Sequence, residues 1–143
     1  MYQYRKTRKR YARANKADKT SSKGCTFCTS EIAERSLIDG EHAFLVPNRV
    51  FYDAWELNDV VDHLLLIPKQ HAKSLAGLSD EARQEIMQMM ATYEAKGYNI
   101  YARGVGSIMR SVKDHQHTHF IKTNNKKSKF ALFLEKPYLL IKK

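Results

Sequence analysis

His115-Gln116-His117-Thr118-His119-Phe120-Ile121 places an imidazole at every second position and ends in two apolar residues. On an extended chain, side chains at i, i+2 and i+4 share one face, about 6–7 Å between successive members. Three imidazoles on one face do not make an apolar core. Each needs a hydrogen-bond partner, and crowding disfavours their protonation. Metal ligation, a nucleophile and phosphate binding all fit such a face; a purely structural metal site or a chance surface cluster are the plainer alternatives.

The elements around this stretch follow from patterning. His117–Ile121 reads as a strand. Leu64-Leu65-Leu66-Ile67 reads as a buried strand that stops at Pro68, because proline lacks the ladder donor. His42–Val46 is a short apolar strand halted by Pro47-Asn48, and Val50–Trp55 is aromatic and β-branched enough for another. A helix is expected over 80–96. Ser79 stands at its N-cap with Asp80 and Glu81 in the first turn, Ile86, Met89, Met90 and Tyr93 form one apolar stripe, and Gly97 follows as a stop. Tyr98–Tyr101 is a further strand, followed by a glycine-containing loop from Arg103 to Ser111. Lys126–Lys129 reads as a basic turn, with a final strand or pair over Phe130–Leu134 and Tyr138–Ile141. Strands gathered around one long helix, without regular alternation, predict an α+β fold with an antiparallel sheet of about five strands.

The 143 residues suit one domain, and 43% apolar content is ordinary for a globular chain. No apolar run approaches the roughly 20 residues of a membrane span, and no apolar stretch of the secretory kind follows the basic N-terminus. A cytoplasmic protein without membrane contact is expected. The formal charge of +10 is concentrated: residues 1–23 carry +8, leaving about +2 for the rest. This divides the chain into a basic extension, 1–23, and a domain, 24–143. The extension is either a solvated arm or one that makes weak contact with nucleic acid. The only cysteines, Cys25 and Cys28, form a C-x-x-C pair, which serves half a metal site or a redox dithiol.

The triad His115-x-His117-x-His119-Phe-Ile resembles the signature of the histidine-triad (HIT) family. His63-Leu-Leu-Leu-Ile-Pro-Lys-Gln-His71 is similar to that family's strand motif, with Asp62 where a glycine is customary, and Cys25-Thr-Phe-Cys28 to the C-x-F-C of its zinc-containing members. The three motifs stand in the family's order across residues 24–121. Phe120-Ile-Lys-Thr123 replaces the Pro-Arg that often follows the triad, and the segment between Asn48 and His63 is longer than usual. Ser111, four residues before His115, is placed as in the branch similar to diadenosine-polyphosphate hydrolases and phosphorylases.

The resemblance implies a role for each position. Cys25, Cys28, His71 and His115 would hold a structural zinc. His117 would be the nucleophile that attacks the α-phosphorus of a nucleotide, giving a nucleotidyl-histidine. His119, Ser111 and His63 would contact phosphate. Asn48 would meet the ribose hydroxyls, with Asp53 as competitor, and Phe51 and Trp55 either flank a base or pack in the core. The family's habit implies a homodimer. The other reading is a non-catalytic, zinc-stabilised module that binds nucleotide or RNA, favoured by the basic arm.

Overall fold

The computed structural model describes residues 24–127 and, within the arm, residues 7, 9, 10, 12 and 13. The final strands expected over 130–141 and most of the basic extension lie outside the described residues.

Among the described residues the chain forms one antiparallel sheet: β1 (Ile38–Asp39), β2 (Ala43–Pro47), β3 (Ala54–Trp55), β4 (Asn58–Pro68), β5 (Asn99–Ala102) and β6 (Thr118–Lys127). The order across it is β1-β2-β4-β6-β5, with β3 paired to β4. A five-residue helix α1 (Ser30–Glu34) precedes the sheet, and α2 (Asp80–Ala95) crosses one face. As expected, Ser79 caps α2, its hydroxyl accepting from the Ala82 N–H. This is the α+β antiparallel architecture anticipated above, with one more strand than expected. The strand that was not anticipated is β1, two residues long and too short to leave a period-two pattern.

Register sorts the sheet into two faces. Leu45 lies opposite Leu66 and Val46 opposite Leu65, while Phe120 faces Leu64 and Ile100. Alternation therefore sends Leu45, Leu64, Leu66 and Phe120 to the α2 side, where they pack with Leu78, Ala82 and Ile86. Val46, Leu65 and Ile67 point to the other face and meet Ile32 of α1, with Phe27 and Phe44 against them. On that second face His63 stands opposite Ile121, and His119 lies between Leu65 and Tyr101. One alternating pattern thus builds an apolar core under the helix and a histidine-bearing surface on the reverse.

Two expected strands are corrected. Only Ala54–Trp55 of the 50–55 segment pairs in the sheet, because the Val50 N–H is given to Asn48 Oδ1 at 3.4 Å and the Tyr52 N–H to the His63 ring at 3.2 Å. The expected basic turn at 126–129 is, at Lys126 and Lys127, the end of β6. The long segment before His63 carries β4 back to Asn58, which gives the end of β6 a partner. The two run together with shifts of register, and Asn125 takes a φ of 55°. The strand also begins one residue later than expected, at Thr118. Opposite Gln116 would stand Pro68, which has no N–H to offer, and the Gln116 N–H bonds Ala72 O instead at 2.6 Å.

Candidate functional site

His115, His117 and His119 do not share one strand face. His119 is on β6, whereas His115 and His117 sit in the bend before it and diverge. The His115 ring lies 4.9 Å from that of His71, and the His117 ring 5.3 Å from that of His119. Phe27 stands between the two groups, edge-on to His115 at 5.8 Å and to His117 at 5.1 Å.

The first group could hold a metal ion. Sγ of Cys25, Sγ of Cys28 and ring nitrogens of His71 and His115 lie within 4.8 Å of one another. Cys28 Sγ is 3.2 Å from His71 Nδ1 and 3.4 Å from His115 Nδ1, and Cys25 Sγ is 3.3 Å from the latter. Edges of about 3.5 Å are what a tetrahedron with Zn–S near 2.3 Å and Zn–N near 2.0 Å requires. His115 Nε2–H donates to Pro68 O at 2.8 Å, so Nδ1 carries the lone pair and faces the sulfurs. Burial, then the neighbouring Cys25 thiol, raise the Cys28 thiol above its ordinary range. A cation among the four would reverse that cost. Two thiolates and two imidazoles close the tetrahedron, and their chemistry fits zinc.

The second group differs in tautomer. His117 is 4% exposed, and its Nδ1–H donates to His115 O at 3.0 Å, leaving Nε2 bare. His63 Nδ1 accepts the Tyr52 N–H at 3.2 Å, so its proton lies on Nε2, which donates to His119 Nδ1 at 2.9 Å. His119 therefore carries its own proton on Nε2. One ring offers a lone pair and its neighbour a donor. Burial lowers His117 to about 4, against the opposing pull of the His115 carbonyl. Burial also lowers His119, helped by the charges of His63, His117 and Arg103.

His63 is fully buried, and burial lowers it to about 4 although the Asp62 carboxylate pulls the other way. Its folded value lies below the unfolded 6.5, so the associated stability is present above pH 6.5 and lost as pH falls toward 4. At 1.36 kcal/mol per unit, the loss is on the order of 3 kcal/mol. Chemical denaturation at pH 7 and pH 4.5 should give a smaller difference for His63→Gln than for the unaltered protein. Equal differences would mean that another group carries the acid sensitivity.

Asn48 accepts the Val50 N–H on Oδ1 and turns its amide nitrogen to His63 Nδ1 at 3.3 Å. Asp53 faces the arm, where the Thr7 hydroxyl donates to its carboxylate at 2.8 Å. The structure therefore gathers Asn48, His63, His117 and His119, and leaves Asp53 to the arm. Ser111 is exposed and its side chain has no hydrogen bond among the described residues, and the Gly104–Gly106 turn is exposed as well.

Three features carried no signal in the sequence. Arg110, 2% exposed, donates to Lys73 O and His115 O, both at 2.9 Å, and to Gln116 Oε1 at 3.1 Å. It thereby ties the segment after His71 to the carbonyl that orients His117. Tyr52 stacks on His119 at 5.5 Å and 28°. Tyr101 completes that side, 6.0 Å from His119, with the Arg103 guanidinium 5.5 Å over its ring.

Solved structures share this arrangement of sheet and helix. A HIT family hydrolase from Clostridium thermocellum superposes with a TM-score of 0.52 at 17% identity, over 78% of this chain and all of that one. A histidine-triad nucleotide-binding protein from Sulfolobus tokodaii gives 0.53 at 21%, over 79% and 78%. A zinc-bound histidine-triad protein from Mycobacterium smegmatis gives 0.50 at 20%, over 71% and 76%. The fold is that of the histidine-triad proteins. No protein-family model matches the chain, and no curated protein matches it. The fold is thus shared with histidine-triad structures that are 17–21% identical to this chain in sequence. No helix among the described residues is long and apolar enough to cross a membrane.

Proposed function

We propose that this protein is a histidine-triad nucleotide hydrolase or nucleotidyl transferase in which His117 attacks an α-phosphorus. The observation that carries the reading is the pair of opposite tautomers at His117 and His119. The bare Nε2 of His117 supplies the electron pair for a new P–N bond. The bond from phosphorus to the leaving group breaks, and that group departs with its electrons. Nε2–H of His119 donates to a phosphate oxygen on which charge builds, with His63 fixing the donor's tautomer. Water or inorganic phosphate then attacks phosphorus, the P–N bond breaks, and His117 is restored. Asn48, beside the histidines at the end of β2, suits a ribose contact. Ser111 reaches the phosphate only if the loop before His115 closes over a bound substrate.

Cys25, Cys28, His71 and His115 are assigned to zinc. Zinc bound there by four protein ligands supplies structure, not a Lewis acid, since no position stays open for substrate. His115 serves the metal through its ring and His117 through its carbonyl. The thiolates suit a reducing, cytoplasmic setting. The same reading includes a two-fold homodimer and a weak polyanion contact through the basic arm. Dinucleoside polyphosphates are the substrate class favoured by the offset of Ser111 from the triad.

The test is to mix the protein with diadenosine tetraphosphate or an adenosine phosphoramidate, quench within one turnover, and search for an acid-labile nucleotidyl adduct by peptide mass spectrometry. The adduct is expected on His117. Turnover with the label on another residue, or with none, would overturn the assignment. Binding without turnover would favour the non-catalytic nucleotide or RNA module.

A further inference from the structure

The hairpin that lengthens the segment before His63 is built at a cost. β3 and β4 are joined by Glu56-Leu57, whose φ angles are 49° and 64°. Such a two-residue turn needs left-handed backbone at both positions, where asparagine and glycine are the usual occupants. Side chains with a Cβ are strained there, because the Cβ crowds the following carbonyl oxygen. What the hairpin fixes is Trp55, with Asn58 bracing the turn through its amide to Glu56 O at 3.0 Å.

Trp55 is half-buried and lies 5.1 Å from Tyr101 and nearly parallel to Tyr52, 13° apart with centroids at 6.5 Å. Tyr52 and Tyr101 both touch His119, so the wall runs outward from the donor imidazole through Tyr101 to Trp55. Arg103 sits over Tyr101, its guanidinium 5.5 Å from the ring that lies beside His119. A cation and aromatic rings in sequence from a phosphate donor match a ligand in which phosphate leads to a flat heterocycle.

We infer that Trp55, Tyr101 and Tyr52, with Arg103, form a subsite that stacks the nucleobase of the leaving half of a two-nucleoside substrate. The inference deepens the reading above, since it rests on phosphate lying at His117 and His119. Stacking of a base on an aromatic side chain is tolerant of base identity, so the subsite selects for a second nucleoside and not for a particular base. Arg103 adds charge on the bridging phosphates.

Trp55 is the sole tryptophan of the chain, which makes its emission a direct reporter. The His117→Asn protein is titrated with diadenosine tetraphosphate and with adenosine tetraphosphate, which have the same phosphate chain but differ in the second base. The dinucleotide is expected to bind at least about tenfold more tightly and to quench Trp55 more strongly. Trp55→Ala should remove most of that advantage and Trp55→Phe should keep it. Tyr101→Ala gives a second route if the tryptophan variant does not fold. Equal affinity and equal emission for the two ligands would overturn the subsite. A second-base advantage without turnover in the unaltered protein would keep the subsite and remove the nucleophile. Turnover by His117 without that advantage would do the reverse.

Discussion

Replacing His117 by asparagine is expected to lower kcat by at least about 10⁴-fold, roughly 5.5 kcal/mol in barrier, while leaving zinc content and thermal midpoint nearly unchanged. Asparagine is of similar size, and its amide can still donate to the His115 carbonyl that now accepts from Nδ1 at 3.0 Å. It has no lone pair to present where Nε2 stood. The effect falls on kcat because the missing P–N bond exists only beyond the ground state. Steady-state kinetics on a dinucleoside polyphosphate, with metal analysis of the same samples, make the comparison. Activity within tenfold of the unaltered protein would leave the histidine without its role.

The second large effect concerns the metal. Cys28→Ser is expected to lower the thermal midpoint by at least about 10 °C and to abolish stoichiometric zinc. Chelation of the unaltered protein should reproduce the loss. Segment 24–35 is joined to the sheet through the packing of Ile32, 1% exposed, on Val46, Leu65 and Ile67. A single turn of 3-10 helix between the two cysteines and a five-residue α1 do not hold themselves. Release of Cys25 and Cys28 also frees Phe27 from its edge contacts with His115 and His117. Activity should therefore fall together with stability. A purified protein that carries no zinc and melts at the same temperature with and without chelator would end the metal assignment.

Much of this was legible in the residues. The unbroken apolar run Leu64–Ile67, stopped by Pro68, and the stretch Thr118–Ile121, with a capped amphipathic helix between, are enough for the central strands and for α2, because chain that is buried on both faces shows in residue type alone. The four zinc candidates were legible too, since ligand chemistry admits few residue types and their motifs stand in order. Sequence spacing misled at the triad itself. It promised one face for three imidazoles, whereas Pro68 ends the ladder and frees His115 to turn toward the cysteines. Arg110 left no trace: an arginine in a polar loop reads as surface, and only the folded chain reveals the carbonyls that pay for its burial. Tyr52 was hidden for a similar reason, because its backbone N–H to His63 is a group every non-proline residue possesses and its ring meets His119 only in the folded chain.

The strict two-sidedness of β6 divides the chain into parts that tolerate change in length and parts that do not. Loop 104–109, exposed for most of its length, can lengthen or shorten while the ladder keeps its phase. Within 118–121 a single deletion would exchange the two sides, handing the Phe120 ring to the cleft and an imidazole to the greasy interior. Diversification aimed at new substrates therefore belongs in that loop, where variation alters what is held without disturbing which way the strand faces.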